Sequence, residues 1–234
     1  GVAALTVGVS KTGFGGIGLI AVFIMADLFG KPSVGVLLPM LVVADVSVYP
    51  LFRRYASWGP VWKLIPPMLV GLVLGYFMLD RIPDDAARPV IGGIILLMVG
   101  IQLFRRFATE WFDKMGQSRS FGLGAGVAGG ISTMMANAAG PVIQLFLLSR
   151  RFEKMELIGI GARLFLLVNI LKLPFMGGLN FINRETLTLN AMAVPLILIG
   201  VLFGKRLVQS VSQRAFEWLV VLFAVLAGVR LMFY

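Results

Sequence analysis

Apolar residues run along this chain in long blocks, and the polar residues collect between the blocks. Six blocks, at 31–52, 60–80, 87–107, 153–176, 186–207 and 215–233, reach the roughly 20 apolar residues that a membrane-spanning helix needs. Charge or Gly/Pro/Asn punctuation bounds each one, as at Arg53-Arg54, Asp80-Arg81-Ile82-Pro83-Asp84-Asp85, Arg105-Arg106 and Lys205-Arg206. Two further apolar stretches, 1–29 and 120–149, are rich in glycine and interrupted centrally by polar groups. The pattern predicts an all-α integral membrane protein.

Composition sharpens this. Of the 234 residues, 59% are hydrophobic and 14% charged, with a mean hydropathy of +0.93, against roughly 25% charged residues in soluble domains. Too little polar surface remains to cover one water-facing core, which excludes an ordinary soluble enzyme and a disordered chain. The absence of Cys and His removes disulfide scaffolds, thiol nucleophiles, Cys/His zinc sites, histidine-ligated haem and histidine bases. The net charge of +10 would suggest nucleic acid for a soluble protein; here it fits the positive-inside rule. The chain opens on Gly1, and a native N-terminus lying further upstream is expected.

Charge also sets orientation. The four loops carrying Arg53, Arg54 and Lys63; Arg105, Arg106, Lys114 and Arg119; Arg150, Arg151 and Lys154; and Lys205, Arg206 and Arg214 hold 13 of the 21 basic residues. The alternate loops hold five: Lys31, Arg81, Arg88, Arg184 and Arg230. Both basic loops flanking 120–149 belong on the cytoplasmic side, so a single crossing there fails. A re-entrant hairpin of two half-helices, each about 20 Å long at 1.5 Å per residue, satisfies both.

Self-comparison gives a repeat. Gly35, Asp45 and Pro50 align with Gly159, Asn169 and Pro174 at an offset of 124, and the polar interruption at 10–13 falls on 134–137. Pro66, Gly71 and Gly75 align with Pro195, Gly200 and Gly204 at 129, and Gly100-Ile-Gln-Leu-Phe with Gly228-Val-Arg-Leu-Met at 128. Each half reads as a broken re-entrant helical hairpin followed by three transmembrane helices, with opposite topology. The expected division is a first membrane repeat at 1–107, a cytoplasmic linker at 108–119 and a second repeat at 120–234. Inverted repeats with discontinuous helices are secondary-transporter architecture, with substrate held where the breaks meet.

The breaks supply the candidate chemistry. The first, Gly8-Val-Ser10-Lys11-Thr12-Gly13-Phe14-Gly15-Gly16-Ile-Gly18, is too rich in glycine for a good helix interior. Backbone amides freed by Gly13, Gly15 and Gly16, with Lys11 and the Ser10 and Thr12 hydroxyls, suit an anion. The competing reading has Lys11 snorkelling to the interface. The second break offers Ser132, Thr133, Asn137 and Gly140, with Pro141 suited to the first turn of a new helix; tight helix packing accounts for its small residues equally well. Arg163 lies about 15 Å into its span, where a charge defaults to a functional hypothesis. Asp45, aligned with Asn169, is the only acid deep in a span, and three roles stay open for it: proton coupling, partner of Arg163, or polar clamp near Pro50. Lys172 is expected to snorkel outward, and Asp27 to be an interfacial or capping acid.

Three of these strings, Gly13-Phe-Gly-Gly-Ile-Gly, Leu38-Pro39 followed by Ala44-Asp45, and Gly129-Gly130-Ile-Ser132 followed by Ala136-Asn137-Ala-Ala-Gly140-Pro141, resemble the bacterial sulfite exporter family TauE/SafE. The resemblance spans essentially the whole chain. It implies a multi-pass protein of the bacterial cytoplasmic membrane that moves sulfite, sulfoacetate or a similar small anion. The leading expectation is a secondary transporter exporting that anion by alternating access, with Lys11, Arg163, the hydroxyls and the hairpin amides as its cradle. An anion channel of the same architecture is the alternative. An intramembrane enzyme is disfavoured, because no Gly-x-Ser-x-Gly or paired-Asp motif occurs; a purely structural membrane protein would leave Lys11 and Arg163 without a purpose. No cofactor or metal is expected. The expected partners are the anion and the lipid bilayer, with homodimerisation open and no nucleic acid.

Overall fold

The computed structural model describes residues 1–12, 15–107, 118–150, 152–210 and 213–233. Most of the expected linker, at 108–117, lies outside the described residues, as do Gly13, Phe14 and Arg151. Among the described residues there are ten α-helices, two short 3₁₀ turns and no strand. In chain order the helices are α1 (Val2–Ser10), α2 (Gly18–Phe29), α3 (Ser33–Phe52), α4 (Gly59–Arg81), α5 (Asp84–Phe107), α6 (Arg119–Ala136), α7 (Gly140–Ser149), α8 (Lys154–Gly178), α9 (Arg184–Ser210) and α10 (Gln213–Phe233).

Among the described residues, five segments are long and apolar enough to cross a membrane: Ser33–Tyr55, Gly59–Arg81, Asp84–Phe104, Met155–Gly178 and Arg184–Gly204. They coincide with the first five predicted spans. The sixth corresponds to α10. Prolines sit inside several of these helices, at Pro39 and Pro50 in α3, Pro66 and Pro67 in α4, and Pro174 in α8. An apolar surround forces backbone groups to bond within the helix, so one lost hydrogen bond bends a helix without ending it.

The two glycine-rich stretches are broken helical pairs. α1 and α2 are separated at 11–17, and α6 and α7 at 137–139. α7 folds back antiparallel along α6: a Cβ on Gly129 would stand 2.8 Å from Ile143, and the Phe121 and Phe146 rings lie 6.0 Å apart. Residues 121 and 146 therefore share one end, as the basic flanks require. Asn137 makes the break. It adopts the left-handed conformation (φ 52°, ψ 30°), and α6 is capped by the Asn137 N–H donating to the Thr133 carbonyl and the Ala138 N–H donating to that of Ser132.

Around the central pair α3 and α8, α1 packs on α9, α6 on α4, and α5 on α10. Glycines set the first two crossings. A Cβ on Gly71 would collide with the Val127 carbonyl and lie 2.9 Å from the Gly130 Cα; a Cβ on Gly200 would collide with the Leu5 carbonyl and lie 3.1 Å from the Gly8 Cα. Backbones thus touch directly in both places, the small-residue mode of helix association in membranes.

The loops poor in Lys and Arg gather at one end. There Lys31 donates to the carbonyls of Asp80 and Ile82, Arg88 to those of Ala26 and Asp27, and Arg230 pairs with Asp27 at 3.2 Å. Asp27, expected as an interfacial or capping acid, is held by Arg230.

The crossings predict a contrast in stability. Gly71→Leu and Gly200→Leu are expected to lower the thermal unfolding midpoint in detergent, by the equivalent of at least about 1–3 kcal/mol of overpacking. Gly100→Ala, whose Cβ would meet nothing within 4 Å, is expected to raise it slightly, since Ala exceeds Gly in a helix by roughly 1 kcal/mol. Equal effects at the three sites would contradict the backbone contacts.

Candidate functional site

The break after α1 places Lys11 one residue past the last helical turn, and its ammonium enters the interior. Lys11 Nζ lies 2.8 Å from Asp45 Oδ1 and 5.0 Å from the centre of the Phe165 ring. Asp45, in the middle of α3, is completely buried. Its other oxygen, Oδ2, accepts a 2.7 Å hydrogen bond from Asn169 Nδ2 on α8. The two positions that the repeat aligns therefore bond to each other.

A second polar group lies further along α8. Lys172, 0% exposed, donates to the Thr133 carbonyl and to Asn137 Oδ1, each at 2.5 Å. Asn137 Nδ2 in turn donates to the Val34 carbonyl at 2.9 Å. The ammonium thus takes carbonyl oxygens at the C-terminal end of α6, where the helix dipole favours a cation. This corrects the expectation that Lys172 snorkels. Sequence reasoning missed this contact between α8 and the second break. The signal was its spacing: Phe165, Asn169 and Lys172 stand at i, i+4 and i+7 and share one helical face.

Between the two groups lies a cavity of about 130 Å³, several times the roughly 10–15 Å³ that admits one water. Leu19, Val22, Leu37, Leu41, Ile143 and Phe165 give it apolar walls, and Lys11, Asp45, Asn169, Thr133, Asn137 and Gln144 give it polar ones. Gly18, the first residue of α2, and Gly140, the first of α7, also line it. The start of α2, which continues the 3₁₀ turn Gly15–Ile17, and the start of α7 therefore abut one cavity with the positive ends of their dipoles.

Of the expected site residues, Ser10, Lys11, Thr133, Asn137 and Gly140 line this cavity together with Asp45 and Asn169. The hydroxyls behave differently from the expectation. Ser10 Oγ donates to the Val7 carbonyl at 2.7 Å, Thr12 Oγ1 to Val9 at 2.8 Å and Ser132 Oγ to Gly129 at 3.2 Å. Near a helix end such back-bonding occupies the hydroxyl proton locally. Gly15 and Gly16 lie in the 3₁₀ turn Gly15–Ile17, and Gly13 is outside the described residues.

Arg163 is not brought to Asp45, which answers Lys11 instead. The guanidinium donates from Nη1 to the Ala56 carbonyl and from Nη2 to that of Arg53, and it lies over the Trp58 ring at 5.1 Å. Position 163 stands two residues, about 200° of helix, from Phe165, so it faces away from the cavity stripe. It fastens the end of α3, where a cation meets carbonyls lacking helical partners.

The two breaks come close together. Asn169 and Lys172, which hold them, stand one turn apart on α8, and α7 packs on the 3₁₀ turn Gly15–Ile17 of the first break. Both breaks reach the one cavity.

Arg163→Met is expected to destabilise the protein, because carbonyl bonds to a charged group contribute about 1.5–3 kcal/mol, and to leave ligand affinity within threefold. Lys172→Met, which strips Asn137 and Thr133 of their donor, is expected to lower the melting midpoint at least as far. Thermal unfolding and anion binding on each purified variant check both, and a well-folded Arg163→Met protein with lost affinity would return Arg163 to the site.

The family model described as Sulfite exporter TauE/SafE matches residues 1–231. Comparison with curated proteins gave no match. Comparison with solved structures also gave none. A match over nearly the whole chain shows the family: this chain belongs to the sulfite exporter family TauE/SafE.

Proposed function

From that membership we propose that this multi-pass membrane protein is a secondary transporter. It exports a small sulfur-containing anion, sulfite or an organosulfonate, across a bacterial cytoplasmic membrane, and the anion occupies the cavity between the two broken hairpins. The observation that carries this reading is the convergence of Lys11 and two helix N-termini, at Gly18 and Gly140, on one apolar-walled cavity. A compact oxyanion offers several acceptor oxygens, and an ammonium with helix-terminal amides matches them. Apolar walls keep water from screening the charge.

Alternating access by two inverted repeats, at 1–107 and 120–234 with 108–119 joining them, is the mechanism we propose. Four features support it. The packing partners exchange in pairs: α1 on α9 answers α6 on α4, α2 on α10 answers α7 on α5, and α3 on α9 answers α8 on α4. The helices α3 and α8, and likewise α5 and α10, pack on each other, as elements beside a two-fold axis do. Asp45 and Asn169, separated by the repeat offset of 124, are in contact. Gly35 and Gly159 behave as a pair as well: a Cβ on Gly35 would press on Phe181 in the loop after α8, and one on Gly159 would lie 2.8 Å from Ala56 in the loop after α3.

Lys11 is paired and its side chain is 14% exposed, facing the cavity it lines. Rocking of the hairpins against α4 and α9, along the glycine contacts, would exchange the open side.

Proteoliposomes loaded with sulfite test the reading. Expected are saturable efflux and acceleration by sulfite on the opposite side, which a channel does not show. Lys11→Met is expected to cut sulfite affinity more than tenfold, about 1.4 kcal/mol or more. Non-saturating flux without counter-transport would sink alternating access, and unaltered affinity in Lys11→Met would move the site.

A further inference from the structure

The polar wall of the cavity holds one carboxylate, and that carboxylate occupies the place an anionic substrate needs. Asp45 Oδ1 stands 2.8 Å from Lys11 Nζ. Among the described residues Asp45 has no second cation to turn to. Oδ2 is held by the neutral amide of Asn169, and the oxygens on Lys172 belong to Thr133 and Asn137. The ring of Phe165 completes the surroundings of Lys11. A second anion drawn to Lys11 would therefore leave Asp45 as an unpaired charge within a buried site, an unfavourable arrangement. A proton on the carboxylate removes that cost.

We infer that Asp45 is the resident counter-ion of Lys11, and that the transported anion replaces it as Asp45 accepts a proton, so that one proton and one anion bind together. This rests on the proposed anion site and adds its coupling. The exchange balances. The Lys11–Asp45 ion pair separates, a Lys11–anion pair forms, and one proton from solvent forms an O–H bond at Asp45 Oδ1, the oxygen that Lys11 vacates. The carboxylic acid keeps its Oδ2 contact with Asn169. The new O–H donates toward the anion, so the acid becomes part of the cradle it had filled. The proton reaches Asp45 through the cavity that both residues line, since the Asp45 side chain itself is 1% exposed. The titratable groups facing this exchange are Lys11 from the α1–α2 break and Lys172 from α8, with Asn169 and Phe165 as the neutral neighbours. Lys172 holds only neutral acceptors and is the rival proton site.

Calorimetry on the purified full chain, in two buffers of different ionisation enthalpy, counts protons as ligand binds. The probes are methanesulfonate, which stays a monoanion, and sulfite. Near pH 8 the wild type is expected to take up about one more proton per bound anion than Asp45→Asn does. Taking this difference cancels the protonation of sulfite itself. Methanesulfonate affinity in the wild type is expected to weaken about tenfold per pH unit above neutrality, as one-proton linkage requires, whereas in Asp45→Asn it is flat and at least tenfold tighter near pH 8. Lys172→Gln, with Asp45 intact, is expected to keep the proton.

Binding that is lost in Lys11→Met but carries equal proton counts in wild type and Asp45→Asn would overturn the coupling and leave the proposed function standing. Loss of the proton in Lys172→Gln would overturn it in favour of the lysine. Failure of both probes to bind the wild type would overturn both readings. If Asp45→Asn does not fold, the wild-type methanesulfonate slope decides alone: a flat profile, with binding intact, is fatal to the inference.

Discussion

A charge placed in a low-dielectric interior must be answered at hydrogen-bond distance, and in this protein that requirement joins otherwise separate elements. Lys11 comes from the break after α1, Asp45 from α3 and Asn169 from α8, and their contacts of 2.8 and 2.7 Å tie the first hairpin to the central helix pair. One turn further along α8, Lys172 does the same for the second hairpin through Thr133 and Asn137. A single face of α8 therefore registers both breaks. Without these partners each hairpin tip would bury bare donors or acceptors, at about 1–3 kcal/mol apiece.

The polar centre stays in place because the surrounding helices approach closely. Gly71 with Gly130, and Gly8 with Gly200, bring backbones into contact on either side of the bundle. In a bilayer, lipid competes with side chains for apolar surface, so association depends on fit and on short contacts more than on hydrophobic burial. The exposed apolar residues of α4 and α9, such as Phe77 and Phe203, then face the surroundings as the bilayer demands, while the inward faces are left to glycine and to the few polar groups of the cavity.

Much of this arrangement was legible in the chain itself. The blocks of about twenty apolar residues gave the long helices, because the backbone of such a block has no other way to satisfy its hydrogen bonds in lipid. The basic flanks of 120–149 required a hairpin, and α6 with α7 forms one. The alignment of Asp45 with Asn169 singled out two residues that touch. What remained hidden depended on helical phase and on neighbours distant in sequence. Arg163 and Lys172 look alike as isolated charges in one apolar segment, and depth alone ranked Arg163 first. Their faces decide otherwise: Lys172 shares its stripe with Asn169, and Arg163 points to the carbonyls of Arg53 and Ala56. The hydroxyls of Ser10 and Thr12 read as free donors until the end of α1, with its open carbonyls, is in view.

The single turn of α8 between Asn169 and Lys172 has an electrical meaning. A bilayer core is about 30 Å thick, and a unit charge crossing all of it under 100 mV changes its energy by about 2.3 kcal/mol. The two anchors, three residues apart, span at most about 4.5 Å of that thickness, near 0.4 kcal/mol for an uncompensated charge at 100 mV. An ion moving between the two breaks therefore does little electrical work, and nearly all of the voltage falls across the mouths on either side.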